Sequence, residues 1–436
     1  MTRRQAGAVL GVLGILVLVT VPELGSGAWP FHAGETDPQG PFGWLVRAAD
    51  RDWDVALLRA GALVAGVIVS LSAAVILCLR GVRPLIVDVI CAAVVALLIV
   101  PATLLQIGLR DSTAPWYHVN DSTYQIEIAG DLVLDGHTPY GHDYRRSGLE
   151  RWYPAVDADP EIEQVALDHF AYFPGTALTA AAWRLLPNPF DDYRLFVLLC
   201  TLALFGAALL FDGPMHWKLA AGAALAANPV AINASWFGTA DAPSLLLTVL
   251  AFAFVARARY VAAAAAIAGA VLLKQFALVA VPFLAVAVLT RGVPRTVLRR
   301  AGALFAGIVV IGVLPFAIAD PGALWDDTIA YGAQTYRIIG YGLAGVLIET
   351  GVLDDRFGPY PFLPLALLLW VPLTAWLLWT QWRVRRLWIG AAAFAASIFG
   401  LFYLGRVFQN SYLIWPLTAL LVSSVLAVSE RSSARS

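Results

Sequence analysis

The sequence predicts an all-α polytopic membrane protein, and three observations carry that prediction. Of 436 residues, 60% are hydrophobic and only 14% charged, more apolar chain than a soluble core of this size can bury. Mean hydropathy is +0.74. The apolar residues are also gathered into runs long enough, or nearly so, to cross a bilayer.

Those runs cover residues 6–22, 56–79, 84–108, 193–211, 215–233, 243–256, 260–274, 275–290, 299–318, 361–380, 386–404 and 409–428. They predict about twelve transmembrane helices, several of them short or interrupted by proline, as at Pro229 and Pro282. The first run follows Arg3 and Arg4, so it reads either as a cleavable signal or as a retained first helix. Its length favours retention. Cys78, Cys91 and Cys200 all fall inside apolar runs, which gives neither a disulfide framework nor a zinc pattern.

The near-zero net charge of -1 hides a segregation of acids from bases, and no nucleic-acid partner is expected. Arginine clusters at 3–4, 80–83, 257–259, 291–300, 383–386 and 431–435 can all be placed in the cytoplasm without contradiction. The termini are then cytoplasmic, and most carboxylates fall on the outer side, including Glu35, Asp37, Asp50, Asp52 and Asp54. Counting residues 172–186 as a crossing would invert every later cluster. With Pro174 and Pro187 near its ends and about fifteen residues, that segment is expected to be a juxtamembrane or re-entrant helix.

The expected organisation is an N-terminal transmembrane hairpin, 1–80, followed by a catalytic membrane domain, 81–436, with a long outer loop at 109–192. A second outer segment runs from 320 to 360. No soluble cytoplasmic domain fits between the helices, and no phosphate-cradling glycine motif is present. A transferase working at the outer face needs an activated donor that arrives in the membrane, such as a sugar on a polyprenyl phosphate.

The outer loop contains NDSTYQIEIAGDLVLDGHTPY. Asn120, Asp121, Ser122 and Thr123 precede a helical pattern that Gly136 and Pro139 end. Glu127, Asp131 and Asp135 recur every four residues as a solvated acidic face, opposite Tyr124, Ile128 and Leu132, so the helix is expected to lie along the membrane surface. Asp121 reads either as the helix N-cap or as a free carboxylate. Ser122 with Gln125 forms a capping box that can take the cap instead.

Trp116, Tyr140, Trp152, Tyr153 and Tyr172 crowd the same loop, first as membrane anchors and second as stacking surfaces for a sugar. Asp157, Asp159, Glu161 and Glu163 read as a solvated acidic stretch before a divalent-ion site. His118, His137, His142 and His169 have no metal-ligand spacing and are read as surface or hydrogen-bonding residues.

Further along, Asp241 either starts the helix that follows it or faces the same cavity as Asp121. Lys274 interrupts two apolar half-runs, where a cation is costly without a partner. A lipid phosphate is the functional reading and head-group snorkelling the bland one. Arg337 and Arg406 fall at outer helix ends and suit phosphate, or else pair with Asp326, Asp327, Asp354 or Asp355.

With these segments in order, the chain resembles glycosyltransferases of the GT-C superfamily, most closely the actinobacterial family 87 enzymes that use polyprenyl-phosphate-mannose. Asp121, Tyr124, Gly136, Pro139, Tyr140, Tyr172 and Pro174 match the loop pattern. NPVAINASWFGTADAPSLLL, GAVLLKQFALVAVPFL and SYLIWPLTALL look like the family's later segments. Three features depart from it: Phe173 stands at a usual proline, an acidic insertion lies near 150–168, and the loop follows a third helix instead of a first.

The resemblance implies a GT-C-like fold in the cell membrane and transfer of a sugar, mannose by analogy, from a polyprenyl-phosphate donor to an envelope glycolipid or glycan acceptor with inversion. Asp121 is the implied general base, Lys274, Arg337 and Arg406 the implied phosphate ligands, and Tyr124, Tyr140, Tyr172 and Asp241 the implied substrate contacts. No cofactor and no obligatory metal are expected. A lipid-linked glycan ligase or polymerase shares this chemistry, whereas a transporter or flippase would show midplane charges or inverted repeats that are not evident.

Overall fold

The computed structural model describes residues 3–26, 55–79, 83–112, 119–152 and 164–433. The acidic stretch at Asp157, Asp159, Glu161 and Glu163, together with Trp116, His118, Tyr153 and the acids between Glu35 and Asp54, lies outside the described residues. Among the described residues, all twelve predicted apolar runs are helical, and eight helices are long and apolar enough to cross a membrane. Three further apolar helices, Ala242–Ala256, Tyr260–Leu273 and Gln275–Leu289, are shorter.

The remaining run, 215–233, is split into two pieces. A helix at Met215–Ala227 stops at Asn228, and another, Pro229–Phe237, begins at the proline. Proline cannot donate to the ladder of the first piece but suits the first turn of the second. Asn228 completes both ends: its Oδ1 accepts from Ala231 N at 3.0 Å, and its Nδ2 donates to the carbonyls of Ala224 and Leu225. An apolar surrounding requires such satisfaction of the freed backbone groups.

The chain forms two compact units. The first comprises residues 1–124, 185–246 and 424–436, and the second 125–184 and 247–423. In the first unit, α1 (Arg3–Ser26) and α2 (Val55–Cys78) form a hairpin. Gly7, Gly11 and Gly14 share one face of α1. A β-carbon added at Gly7 would lie 2.9 Å from the Ala74 carbonyl oxygen, so the small residues allow the backbones to approach closely. Ser70 donates to the Leu10 carbonyl at 2.8 Å across the same seam.

Next come α3 (Pro84–Ser112) and α4 (Asp121–Leu134), whose first turn belongs to the first unit and whose remainder belongs to the second. In the second unit, α5 (Pro174–Arg184) has eleven residues, too few to cross a bilayer. It is no loose surface helix: six of its residues are buried. A β-carbon added at Gly130 of α4 would lie 2.8 Å from the Ala180 backbone, and one added at Gly175 would lie 2.7 Å from that of Leu272.

This packing corrects the expected solvated acidic face of α4. Glu127 is only 3% exposed, and Asp131 pairs with Arg184 of α5 at 2.9 Å. Asp135 is exposed, and the Asp131 side chain keeps 48% of its surface. The acidic face is therefore buried at Glu127, paired at Asp131 and open at Asp135.

Farther along the second unit, residues Asp326–Thr335 and Ala366–Trp370 are π-helical. A two-residue parallel bridge joins Ile339–Gly340 to Val407–Phe408. Gly340 has φ +92°, and a β-carbon there would meet the Phe408 carbonyl oxygen at 1.9 Å. That position admits glycine alone.

Candidate active site

In the first unit the start of α4 carries Asp121. Asn120, not Ser122, caps this helix: its carbonyl accepts from Tyr124 N at 3.0 Å, and its Oδ1 accepts from Ser122 N at 2.9 Å. The capping box therefore does not form, because Asn120 opens the helix before Ser122 can. Asp121 occupies the first helical position, partly buried, with Oδ1 2.7 Å from Ser122 N. A carboxylate there is favoured by the helix N-terminus.

Thr123 hydroxyl donates to the carbonyl of Gly238, tying the first turn of α4 to the segment that leads into Asp241. Gly238 has φ +92°, and a β-carbon there would come within 2.5 Å of Thr123 Oγ1 and 2.8 Å of Arg194 Cγ. Asp241 stands immediately before the helix Ala242–Ala256, its carbonyl accepting from Leu245 N at 2.9 Å. The side chain is only 1% exposed. Asp121 and Asp241 thus belong to one unit, on segments linked through Thr123.

An ion cluster that sequence reasoning missed lies beside them. Asp192 caps α6 (Tyr193–Ala207), accepting from Arg194 N at 2.9 Å. Its two carboxylate oxygens also take Arg194 Nε at 2.9 Å and Nη2 at 2.6 Å, and Arg110 Nη1 lies 3.0 Å away. Arg194 is fully buried. Burial alone would raise the Asp192 carboxyl, but Arg194 and Arg110 outweigh it and hold the group below the usual carboxylate range. The Arg110 guanidinium also sits 5.8 Å from the Tyr124 ring centre. The available signal was Arg194 itself, a single charge inside the apolar run 193–211.

In the second unit the loop after α4 and the segment before α5 build a different cluster. Tyr140 is buried, and its hydroxyl donates to the Tyr172 carbonyl at 2.8 Å. Its ring makes edge contacts with Phe170 at 5.7 Å and Phe316 at 5.6 Å. Burial, with Tyr144 and Asp327 nearby, pushes the Tyr140 phenol well above its ordinary range, so it remains a neutral donor.

Lys274 ends the helix Tyr260–Leu273 in extended backbone, followed by a 3-10 stretch, Gln275–Ala280. Its ammonium lies 5.4 Å from the Tyr172 ring centre and 5.3 Å from that of Phe276. The residue is 7% exposed. Two aromatic faces thus hold a buried cation, an arrangement favoured by the ring quadrupoles. Gln275 Nε2 donates to the carbonyls of Ala171 at 3.0 Å and Thr328 at 3.2 Å, which locks the lysine turn onto the loop segment.

Asp327, which the sequence offered only as an ion-pair partner for arginine, is the hub of that segment. It is 2% exposed. His169 Nδ1 lies 2.8 Å from its Oδ1, while Phe170 N and Gly141 N donate to Oδ2 at 3.1 and 3.0 Å. One carboxylate therefore fixes the loop after α4, the segment before α5 and the π-helix together.

The two outer arginines separate. Arg337 is exposed. Arg406 is 1% exposed, and its guanidinium donates to the carbonyls of Tyr336, Gly358 and Arg356 at 2.7, 3.0 and 3.3 Å. It braces the segment around the two-residue bridge, with main-chain carbonyls in place of the carboxylates or phosphate that the sequence suggested. Among the described residues, no group of three or more histidine, cysteine or acidic side chains is placed to hold a metal ion.

No family model and no curated protein matches this sequence. Among solved structures, the chain is similar to ArnT from Cupriavidus metallidurans, crystallised in the apo state. Identity is 20%, the match covers 72% of this chain and 56% of that one, and the TM-score is 0.43. The match thus spans a little over half the length of that protein.

Proposed function

We propose that the protein is a membrane glycosyltransferase that moves a sugar, mannose by resemblance, from a polyprenyl-phosphate donor to an envelope glycolipid or glycan. The observation that carries this reading is Lys274, a buried cation clasped by two aromatic rings at the break between apolar helices. A lipid phosphate is the anion that such a position suits in an apolar chain. The arginine distribution supports cytoplasmic termini and chemistry at the outer membrane face.

In this reading Asp121 accepts the proton of the acceptor hydroxyl as that oxygen attacks the anomeric carbon. The carbon–oxygen bond to the phosphate breaks with inversion, and its electron pair leaves on the phosphate. Lys274 and Arg337 stabilise the charge that develops there. Arg406 is assigned a bracing role, since its donors serve carbonyls. Asp241, Tyr124, Tyr140 and Tyr172 are assigned to contact the substrates.

Purified protein supplied with a panel of polyprenyl-phosphate sugars, with products identified by mass spectrometry, tests the reading. Consumption of no sugar lipid would overturn it. Within that assay, Lys274→Met is expected to lower turnover by about 10²-fold, the scale of losing one charge-stabilising donor. Lys274→Arg should keep more activity than Lys274→Met, and equal turnover in Lys274→Met and the unaltered protein would remove Lys274 from the mechanism.

The leaving group is a monophosphate that protein cations can neutralise, so transfer is expected to survive EDTA. Loss with EDTA and recovery with Mn or Mg would instead assign a metal to the acidic stretch around Asp157.

A further inference from the structure

The His169–Asp327 pair is not used in the reaction as written above, yet it is built as a fixed proton-bearing unit. An ionised carboxylate only accepts hydrogen bonds, so a ring that donates across the 2.8 Å contact carries a proton on Nδ1. In the neutral ring the lone pair is then on Nε2. Among the described residues it has no hydrogen-bond partner, and the His169 side chain keeps 19% of its surface open.

The ring cannot swing away readily. Its main-chain carbonyl accepts from Gln125 Nε2 at 2.8 Å, and its face lies against Tyr331, with ring centres 4.6 Å apart at 31°. Tyr331 in turn contacts Tyr336 at 5.0 Å. Two further backbone donors hold Asp327 from behind. Three residues along the same strand of chain, Tyr172 carries Lys274 on its ring.

Resting on the reading of the protein as a polyprenyl-phosphate glycosyltransferase, we propose that His169 is a sugar-binding residue. Its Nε2 accepts a hydrogen bond from a hydroxyl of the donor's sugar. The chemistry selects the sugar over the phosphate. A neutral Nε2 is an acceptor, an ionised phosphate offers acceptors only, and a sugar offers hydroxyl donors. The half-buried Tyr336, beside Tyr331, supplies an aromatic surface on which a sugar's C–H face packs. Asp327 is the positioning residue, because it dictates which nitrogen bears the proton.

Two variants separate this role from simple support of the loop. His169→Asn places an amide N–H near the position of Nδ1 and so retains a donor for Asp327, but deletes Nε2. Asp327→Asn keeps an oxygen for the Gly141 and Phe170 amides but presents an N–H to the histidine, which drives the imidazole to the other tautomer.

Binding of polyprenyl-phosphate-mannose and of polyprenyl phosphate without sugar is measured on the purified full chain in detergent, beside thermal unfolding. Both variants are expected to bind the sugar lipid roughly tenfold or more weakly, with affinity for the bare polyprenyl phosphate unchanged. If His169→Asn binds both lipids as the unaltered protein does, or loses both equally while unfolding at the same temperature, His169 does not contact the sugar. A variant that unfolds early and loses both lipids gives His169 a structural role and overturns the proposal. If the unaltered protein binds neither lipid, the glycosyltransferase reading falls and takes this one with it.

Discussion

Asp121→Asn is expected to reduce sugar transfer by about 10²–10⁴-fold, the range that a positioned general base contributes. The substitution is nearly isosteric, and the helix that carries it is capped by Asn120, whose carbonyl and side chain hold the first turn. The charge at Asp121 gains a favourable interaction with the helix N-terminus of about 0.3–1 kcal/mol. Expression, membrane insertion and unfolding temperature should therefore match the unaltered protein while turnover collapses. Asp121→Glu, which restores a carboxylate at a shifted position, should recover part of the rate. Full turnover in Asp121→Asn would remove the base assignment and direct attention to Asp241, a buried carboxylate of the same unit.

Asp192→Asn should produce the largest loss of stability, about 3–5 kcal/mol, because it leaves the fully buried Arg194 without its counter-charge. An amide can take one N–H of the guanidinium but must turn its own donors toward the other. Arg110→Met is the matched control, since it removes the more exposed cation and leaves the Asp192–Arg194 pair neutral. Thermal unfolding followed by size exclusion should rank Asp192→Asn well below Arg110→Met, and the reverse order would show that the cluster does not hold the first unit together.

The pH dependence of this cluster has a definite sign. Arg194 and Arg110 hold the Asp192 carboxyl below its ordinary range against the opposing effect of burial. A depressed acid stabilises the fold fully above its unfolded pKa of about 4 and loses that contribution as pH falls through the lower folded value. Varying pH between about 6 and 8 should leave this contribution intact.

The helices were legible because an apolar run in a membrane chain has little choice of structure. Even the division at Asn228 and Pro229 could be read as a proline interruption. Features that depend on one segment covering another were not legible. The acidic face of α4 looked solvated because Arg184, the partner of Asp131, lies 53 residues later. Asn120 and Ser122 are both good capping types, and only the hydrogen bond from Tyr124 N decides between them. Asp327 and His169 are 158 residues apart in the chain, so neither local spacing nor residue type could pair them. Arg406 looked like an anion ligand because sequence gives a cation's approximate depth but not how many carbonyls surround it.

The break at Asn228 also acts as a ruler. The thirteen residues before it and the nine after it amount to about 20 Å and 14 Å of helix, so neither piece alone matches a hydrocarbon layer of about 30 Å, whereas together they do. Because Asn228 satisfies both broken ends, the two cylinders can meet at an angle without leaving a backbone group stranded. The second piece ends at Gly238, three residues before Asp241. Thr123 is bonded to Gly238, so the far end of the jointed helix is tied to the turn that bears Asp121. An asparagine more than a hundred residues along the chain from Asp121 thereby joins the two helix pieces on which that tie depends.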